Sequence, residues 1–229
     1  MRLRRILPLL LAIAPIALSQ SAPLSSFEIL THRFDVDVDG APNAYGPPGK
    51  PALDYLIHAH LDNDPHKPIV GFLTEKDGHT PILQGPNDPF PGYYISQTAF
   101  QDPANPNDRD PRAYLDATKI NYVVRGKEAR RRGAKVGDFV AVYSKRTHKS
   151  AFAVVGDTGN DSGDEGSLHL AQDLGYPFHD GKDEAVERPE IIFRFYPNSN
   201  PKQQFFFTQA ALDAAALKLG LSRDFTEKK

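Results

Sequence analysis

Proline and glycine cut this chain too finely for long regular elements. The chain has twenty prolines and seventeen glycines in 229 residues, gathered in runs such as APNAYGPPGKP at 41–51, QGPNDPFPG at 84–92 and QDPANPNDRDPR at 101–112. Proline fixes φ and lacks a backbone donor, while glycine enters turns that other residues avoid, so these runs are loops. The segments between them are short and rich in Val, Ile, Tyr and Phe, which suits strands of about four to eight residues. Strands are expected within 27–39, 68–73, 92–99, 120–124, 139–143, 151–155 and 191–196. Two helices stand out. Ser167 is an N-cap candidate for a short helix stopped by Gly175, and Thr208 to Leu219 reads as a helix ended by Gly220. The expected fold is mainly β, a closed or partly closed β-barrel with two or three short helices.

Residues 1–19 read as a signal peptide. Met1 to Arg5 is basic, Ile6 to Leu18 is almost wholly apolar, and Ala17-Leu18-Ser19 has the small-x-small form of a cleavage site. The apolar run falls short of the roughly twenty residues of a membrane-spanning helix, so a secreted or periplasmic product without stable membrane insertion is expected. Residues 20–229 then form a single domain, and no linker or repeat divides it. Loss of Arg2, Arg4 and Arg5 leaves 24 basic against 29 acidic residues. That balance argues against a nucleic-acid partner and mildly favours a cationic one. The chain has no cysteine, which excludes disulfides and cysteine-based zinc or haem sites.

Two acidic segments carry the chemistry. In 34–39, Phe34, Val36 and Val38 alternate with Asp35, Asp37 and Asp39, so a strand here places three carboxylates on one face at intervals of about 7 Å. Crowding raises the proton affinity of at least one of them. The motif DVDVDG also matches the opening of a calcium-binding EF-hand loop, but its twelfth position is Gly46 instead of glutamate. In 152–174, FAVVGDTGNDSGDEGSLHLAQDL, an apolar strand leads to Asp157, and a glycine-rich loop carries Asp161, Asp164 and Glu165 to the helix at Ser167. Two carboxyl groups on a rigid frame are what glycoside hydrolysis requires, one as acid and one as base or nucleophile. A plain Gly/Asp turn, with or without calcium, is the bland alternative.

The order of these motifs resembles glycoside hydrolase family 75, the endo-chitosanases. GDTG with the following EGSLHLAQDLG is similar to the family's signature segment. FDVDVDGAPNAY, TAF at 98–100 with Gln97 before it, LDATKINYVVRG, VGDFVAVYS and IIFRFYPNS resemble its other segments in order, over roughly Phe34 to Ser199. The resemblance implies an inverting, cofactor-free, monomeric enzyme cleaving β-1,4 linkages of chitosan, with Asp157 and Glu165 as its essential carboxylates. Inversion calls for about 6.5–9.5 Å between the two groups. Glu165 is assigned as acid and Asp157 as base on the higher reference pKa of glutamate, although a helix start at Ser167 would act against a protonated Glu165. Asp35, Asp37, Asp39, Thr98 and Asp164 are expected to bind substrate. Asp164 stands where the family has glycine and could share the role of Glu165, and Val38 replaces a cysteine of fungal members. The DTG segment is also similar to that of double-psi β-barrel glycosidases and lytic transglycosylases, which suggests a double-psi-like barrel. Two other readings remain open: a secreted glycan- or calcium-binding barrel without activity, and a peptidoglycan lytic transglycosylase with a single acid.

His58 and His60 have a spacing able to chelate zinc but lack an evident third ligand, so they read as surface or core histidines. The basic run 125–132 reads as a solvated turn or helix. Phe205 to Phe207 are expected to pack the terminal helix, while Tyr93 and Tyr94 suit either packing or a sugar subsite. Serine-hydrolase, nucleotide-binding and dinucleotide-binding motifs do not occur.

Overall fold

The computed structural model describes residues 24–226, and the expected leader, residues 1–19, lies outside the described residues. The protein is built on β1 (Phe27–Leu30), β2 (Phe34–Asp37), β3 (Tyr122–Val124), β4 (Phe139–Ser144), β5 (Ser150–Asp157), β6 (Glu165–Ser167), β7 (Ala185–Val186) and β8 (Ile191–Phe195). These strands form one mixed sheet in the order β1-β8-β4-β5-β3-β6-β2-β7, curled into a half-barrel. The fold is mainly β, and of the two expected forms it takes the partly closed one. The pairs β2–β6 and β3–β5 run parallel, and the others antiparallel.

Antiparallel β5, β4 and β8 supply much of the core through Phe152, Val154, Val140, Val142, Phe193 and Phe195, all nearly inaccessible to water. Three helices complete the architecture: α1 (Lys127–Arg131), α2 (Leu168–Asp173) and α3 (Gln209–Lys218). Thr208 caps α3 by accepting from the Ala211 N–H at 3.3 Å, and Gly220, at φ 71°, lets the chain leave it. Phe206 seals the approach to α3 against Phe139, with ring centroids 5.6 Å apart. Ser167 Oγ caps α2 at Leu170 N–H, 3.2 Å, and also accepts from Tyr122 N–H at 3.1 Å, tying the helix start to β3.

Three local expectations are corrected. The segment 27–39 is two strands, broken where Thr31 turns its N–H and hydroxyl to the Ile191 carbonyl at 3.0 and 3.1 Å. Segments 68–73 and 92–99 form isolated bridges only, such as Phe72 with Ser96 and Leu83 with Tyr94. Prolines at 81, 89 and 91 remove donors there and enforce turns, so no ladder extends. Glu165 to Ser167, read as the end of a loop, is a strand paired to both β2 and β3.

A bulge decides how β5 meets β3. Tyr122 pairs with Val154 and Val123 with Val155, but Val124 pairs with Asp157. Gly156 is the extra residue, and its carbonyl is turned aside to accept from Phe100 N–H at 2.8 Å. A one-residue shift reverses the face on which the next side chain projects, so Asp157 joins the face of Val124. Only glycine fits at the bulge, because a Cβ on Gly156 would lie 2.5 Å from Tyr122 Cβ and 2.9 Å from Leu115 Cδ1. Gly156→Ala is therefore expected to cost about 2 kcal/mol or more in urea unfolding, through overpacking against buried neighbours. Ala at exposed Gly159, where no atom lies within 4 Å of the added Cβ, serves as the comparison for strain from a positive φ alone.

Candidate functional site

The bulge brings three strands into one transverse row. Asp157 on β5 is paired to Val124 on β3. The antiparallel match of Val123 with Gly166 sets Val124 beside Glu165 on β6, and Glu165 is paired to Asp35 on β2. Residues directly opposite across a sheet project on the same side, and all four line one cleft of about 610 Å³. Asp157 and Glu165 thus flank Val124, with Cα atoms about 10 Å apart, two interstrand spacings. One row along β2, Asp37 pairs with Ser167 and reaches the same cleft, as does Asp39. The apolar partners of this alternation, Phe34, Val36 and Val38, are buried in the core.

Each carboxyl is held differently. Asp157 Oδ1 accepts from Thr158 N–H at 2.6 Å and Ala99 N–H at 3.1 Å. Burial pushes its proton affinity up, and the negative charge of Asp37 adds to this. Glu165 accepts from the Asn160 side-chain amide. Burial, followed by the charge of Asp37, raises its pKa to about 8 despite that bond. The opposing pull of the α2 start is outweighed, because Glu165 lies on β6 two residues before the cap. Asp37 accepts from Asp39 N–H at 2.8 Å and is raised to about 6, chiefly by burial. Asp39 accepts from the Tyr45 hydroxyl at 2.8 Å and is raised by burial and by Asp37. Asp35 is paired with Arg33, which also bonds Glu187 at 3.3 Å.

Two expected site residues lie elsewhere. Thr98 is sealed in the core at 2% exposure. Its hydroxyl donates to the Phe100 carbonyl at 3.0 Å and accepts from Leu115 N–H at 3.2 Å. What its segment gives the cleft is the neighbouring Ala99 amide on Asp157. Asp164 does not line the cleft; it precedes Glu165 on the opposite face, and its side chain accepts from the His32 amide. It therefore does not share the place of Glu165. Tyr94 packs in the core, and Tyr93 donates to the Pro51 carbonyl at 2.7 Å, away from the cleft.

Sequence reasoning missed the loop wall facing these strands. Asp54 is nearly buried and lines the cleft with His58 and His60. Its Oδ1 accepts from Tyr55 N–H and contacts His58 Nδ1, both at 2.7 Å. Burial raises Asp54 to about 6, with His58 opposing. The spacing DYLIH, an acid four residues before a histidine, was a local signal for this pair. In all, ten carboxylates line the cleft against Arg33 and Lys182, so the site presents a strongly acidic surface. Among the described residues no three His, Asp or Glu side chains are disposed to hold a metal ion, and the residues resembling a calcium loop lie on and just beyond a strand. No helix among them is long and apolar enough to cross a membrane. Compared with known proteins, the chain matches no protein-family model and no curated protein.

The raised carboxyls fix the sign of the pH dependence of stability. Glu165 moves from 4.5 to about 8 on folding, and Asp37 and Asp54 from 3.8 to about 6. Between these limits the folded chain holds more protons than the unfolded one, so stability falls as pH rises, and Asp39 and Asp157, raised in the same direction, add to the fall. Chemical denaturation from pH 5 to pH 9 is expected to show this decline. Glu165→Gln removes the Glu165 part of it and is expected to be more stable than the wild type by roughly 3–5 kcal/mol at pH 9, and much less at pH 5.

Proposed function

We propose that the protein is an exported, endo-acting glycoside hydrolase that cleaves β-1,4 linkages in chitosan with inversion, with Glu165 as general acid and Asp157 as base. The observation that carries this reading is the row Asp157–Val124–Glu165 on one cleft face. Carboxyls on neighbouring strands stand at about the 5 Å spacing suited to a covalent glycosyl intermediate. An intervening strand widens the gap toward the roughly 6.5–9.5 Å that admits a water. A cleft of about 610 Å³ is in the usual range for ligand sites, about 300–1,000 Å³. Its excess of carboxylates favours a polymer bearing ammonium groups. The resemblance to family 75 points to the same two residues, and the basic-then-apolar N-terminus supports export.

The roles keep the assignment made from the higher reference pKa of glutamate, since the surroundings raise the proton affinity of both groups. Glu165, raised to about 8, carries a proton at neutral pH and delivers it to the glycosidic oxygen as the C1–O bond breaks. Asp157, with Oδ1 fixed by two backbone amides, leaves Oδ2 to take a proton from the water. Burial and nearby charge make it a stronger base once ionised. The water oxygen bonds to C1 from the face opposite the leaving group, which departs as an alcohol, so a β-linkage yields an α-configured reducing end.

Asp157→Asn and Glu165→Gln are each expected to lower release of reducing ends from chitosan by at least about 100-fold while circular dichroism stays unchanged. Proton NMR of the first products should show the α-anomer. Loss in Glu165→Gln alone would favour the single-acid reading, to be checked on peptidoglycan for anhydro products. Retention on chitosan without any new reducing ends would favour a binding module.

A further inference from the structure

Asp37 was expected to touch substrate, yet it is a half-buried carboxylate held by the backbone of its own segment. It sits one row below Asp157–Val124–Glu165 on β2, paired to Ser167, and Ser167 accepts from the amide of Tyr122 on β3. One backbone donor fixes its carboxylate, the Asp39 amide at 2.8 Å, and the Tyr122 hydroxyl anchors the same segment by donating to the Asp39 carbonyl at 2.9 Å. The amide bond favours the ionised form. Among the described residues no salt bridge reaches it: Arg33 is engaged by Asp35 and Glu187, Lys182 by Asp180, and the His58 ring contacts Asp54.

The groups facing Asp37 come from every element around it. Asp35 and Asp39 lie on its own segment, Asp157 on β5, Glu165 on β6 and Tyr122 on β3. Tyr45 and the Asp54–His58 pair close the loop side. We infer that Asp37 is a positioning residue for the catalytic pair, not a subsite residue: held one row from Asp157–Val124–Glu165 and lining the same cleft, it keeps the proton on Glu165 by its charge. In support, Asp37 is the leading like-charge neighbour of both groups. The catalytic part of this inference rests on the hydrolase reading; the electrostatic part does not.

The test follows Glu165 directly, by carbon-13 NMR of its side-chain carboxyl in the full-length protein. In Asp37→Asn the Glu165 midpoint is expected to fall by about one pH unit or more, and Asp37→Glu should restore most of it. In the wild type, the Asp37 and Glu165 resonances should each show both titration steps, as coupled groups do; this arm needs no variant to fold. On chitosan, Asp37→Asn should move the alkaline limb of kcat/KM to lower pH with KM little changed. A Glu165 midpoint unmoved in folded Asp37→Asn, or independent single-step titrations in the wild type, overturns the inference. A raised KM with an unmoved pH profile does so too, returning Asp37 to the subsites. If the wild type releases no reducing ends, the hydrolase reading fails while the NMR arms still decide the role of Asp37.

Discussion

Tyr122 is the side chain around which the cleft is assembled. It is completely buried, and its Cβ and ring occupy the volume a side chain at position 156 would need, while its carbonyl oxygen lies 2.9 Å from where a Cβ on Gly166 would fall. Two glycines in adjoining strands are the consequence. The first permits the bulge that turns Asp157 toward the cleft. The second lets the three-residue β6 lie against β3 closely enough to hold Glu165 in the same row. The Tyr122 hydroxyl then secures the acidic strand from below through the Asp39 carbonyl. One aromatic residue therefore sets the spacing of the pair and supports the carboxylates beneath it.

The electrostatic cost of the site is concentrated where that packing is tightest. Burial removes water from Asp37, Asp39, Asp157 and Glu165, and their like charges discourage simultaneous ionisation. Backbone amides offset this for Asp157 and Asp37, and a side-chain amide does so for Glu165, whereas a salt bridge would have quenched the charge. The cations present are placed at the margins, with Arg33 bound to Asp35 and Glu187. The interior of the cleft combines many carboxyls with high proton affinity.

Much of this frame was legible in local pattern. The alternation of Phe34, Val36 and Val38 with three aspartates required one buried and one polar face, and the capping residues Ser167 and Thr208 with Gly175 and Gly220 bounded two helices. What the pattern missed depends on distant partners. Glu165 to Ser167 is a strand only because Val36 and Val123 lie beside it, and nothing within GDEGS carries that information. The same pairing distinguishes Asp164 from Glu165, which are adjacent in sequence but project to opposite faces. Thr98 was misplaced because the useful atom of its segment is the Ala99 amide, invisible to any reading by side-chain type. Asp54 and His58 escaped because their loop has no strand or helix periodicity, and burial beneath the cleft wall is a tertiary property.

The arrangement also bears on what an occupant must bring. A cleft whose carboxyls hold protons for want of cations is unsatisfied in a specific way, since each ammonium entering it lowers the proton affinity of its neighbours and strengthens its own attraction. If the proposed function holds, recognition of a polycation and control of the catalytic proton are one electrostatic problem. An ammonium close to Glu165 would then strip the proton that hydrolysis needs, whereas one held by the outer carboxylates at Asp62, Asp183 or Glu187 would leave it in place. On the proposed reading, the outer acids are suited to binding, and the floor, with Asp37 shielded by Tyr122 and the Asp39 amide, is suited to keeping its charge regardless of what lies above it. A division between rim and floor follows from burial, and on that same reading it would let one acidic surface both gather a cationic chain and retain a neutral acid at its centre.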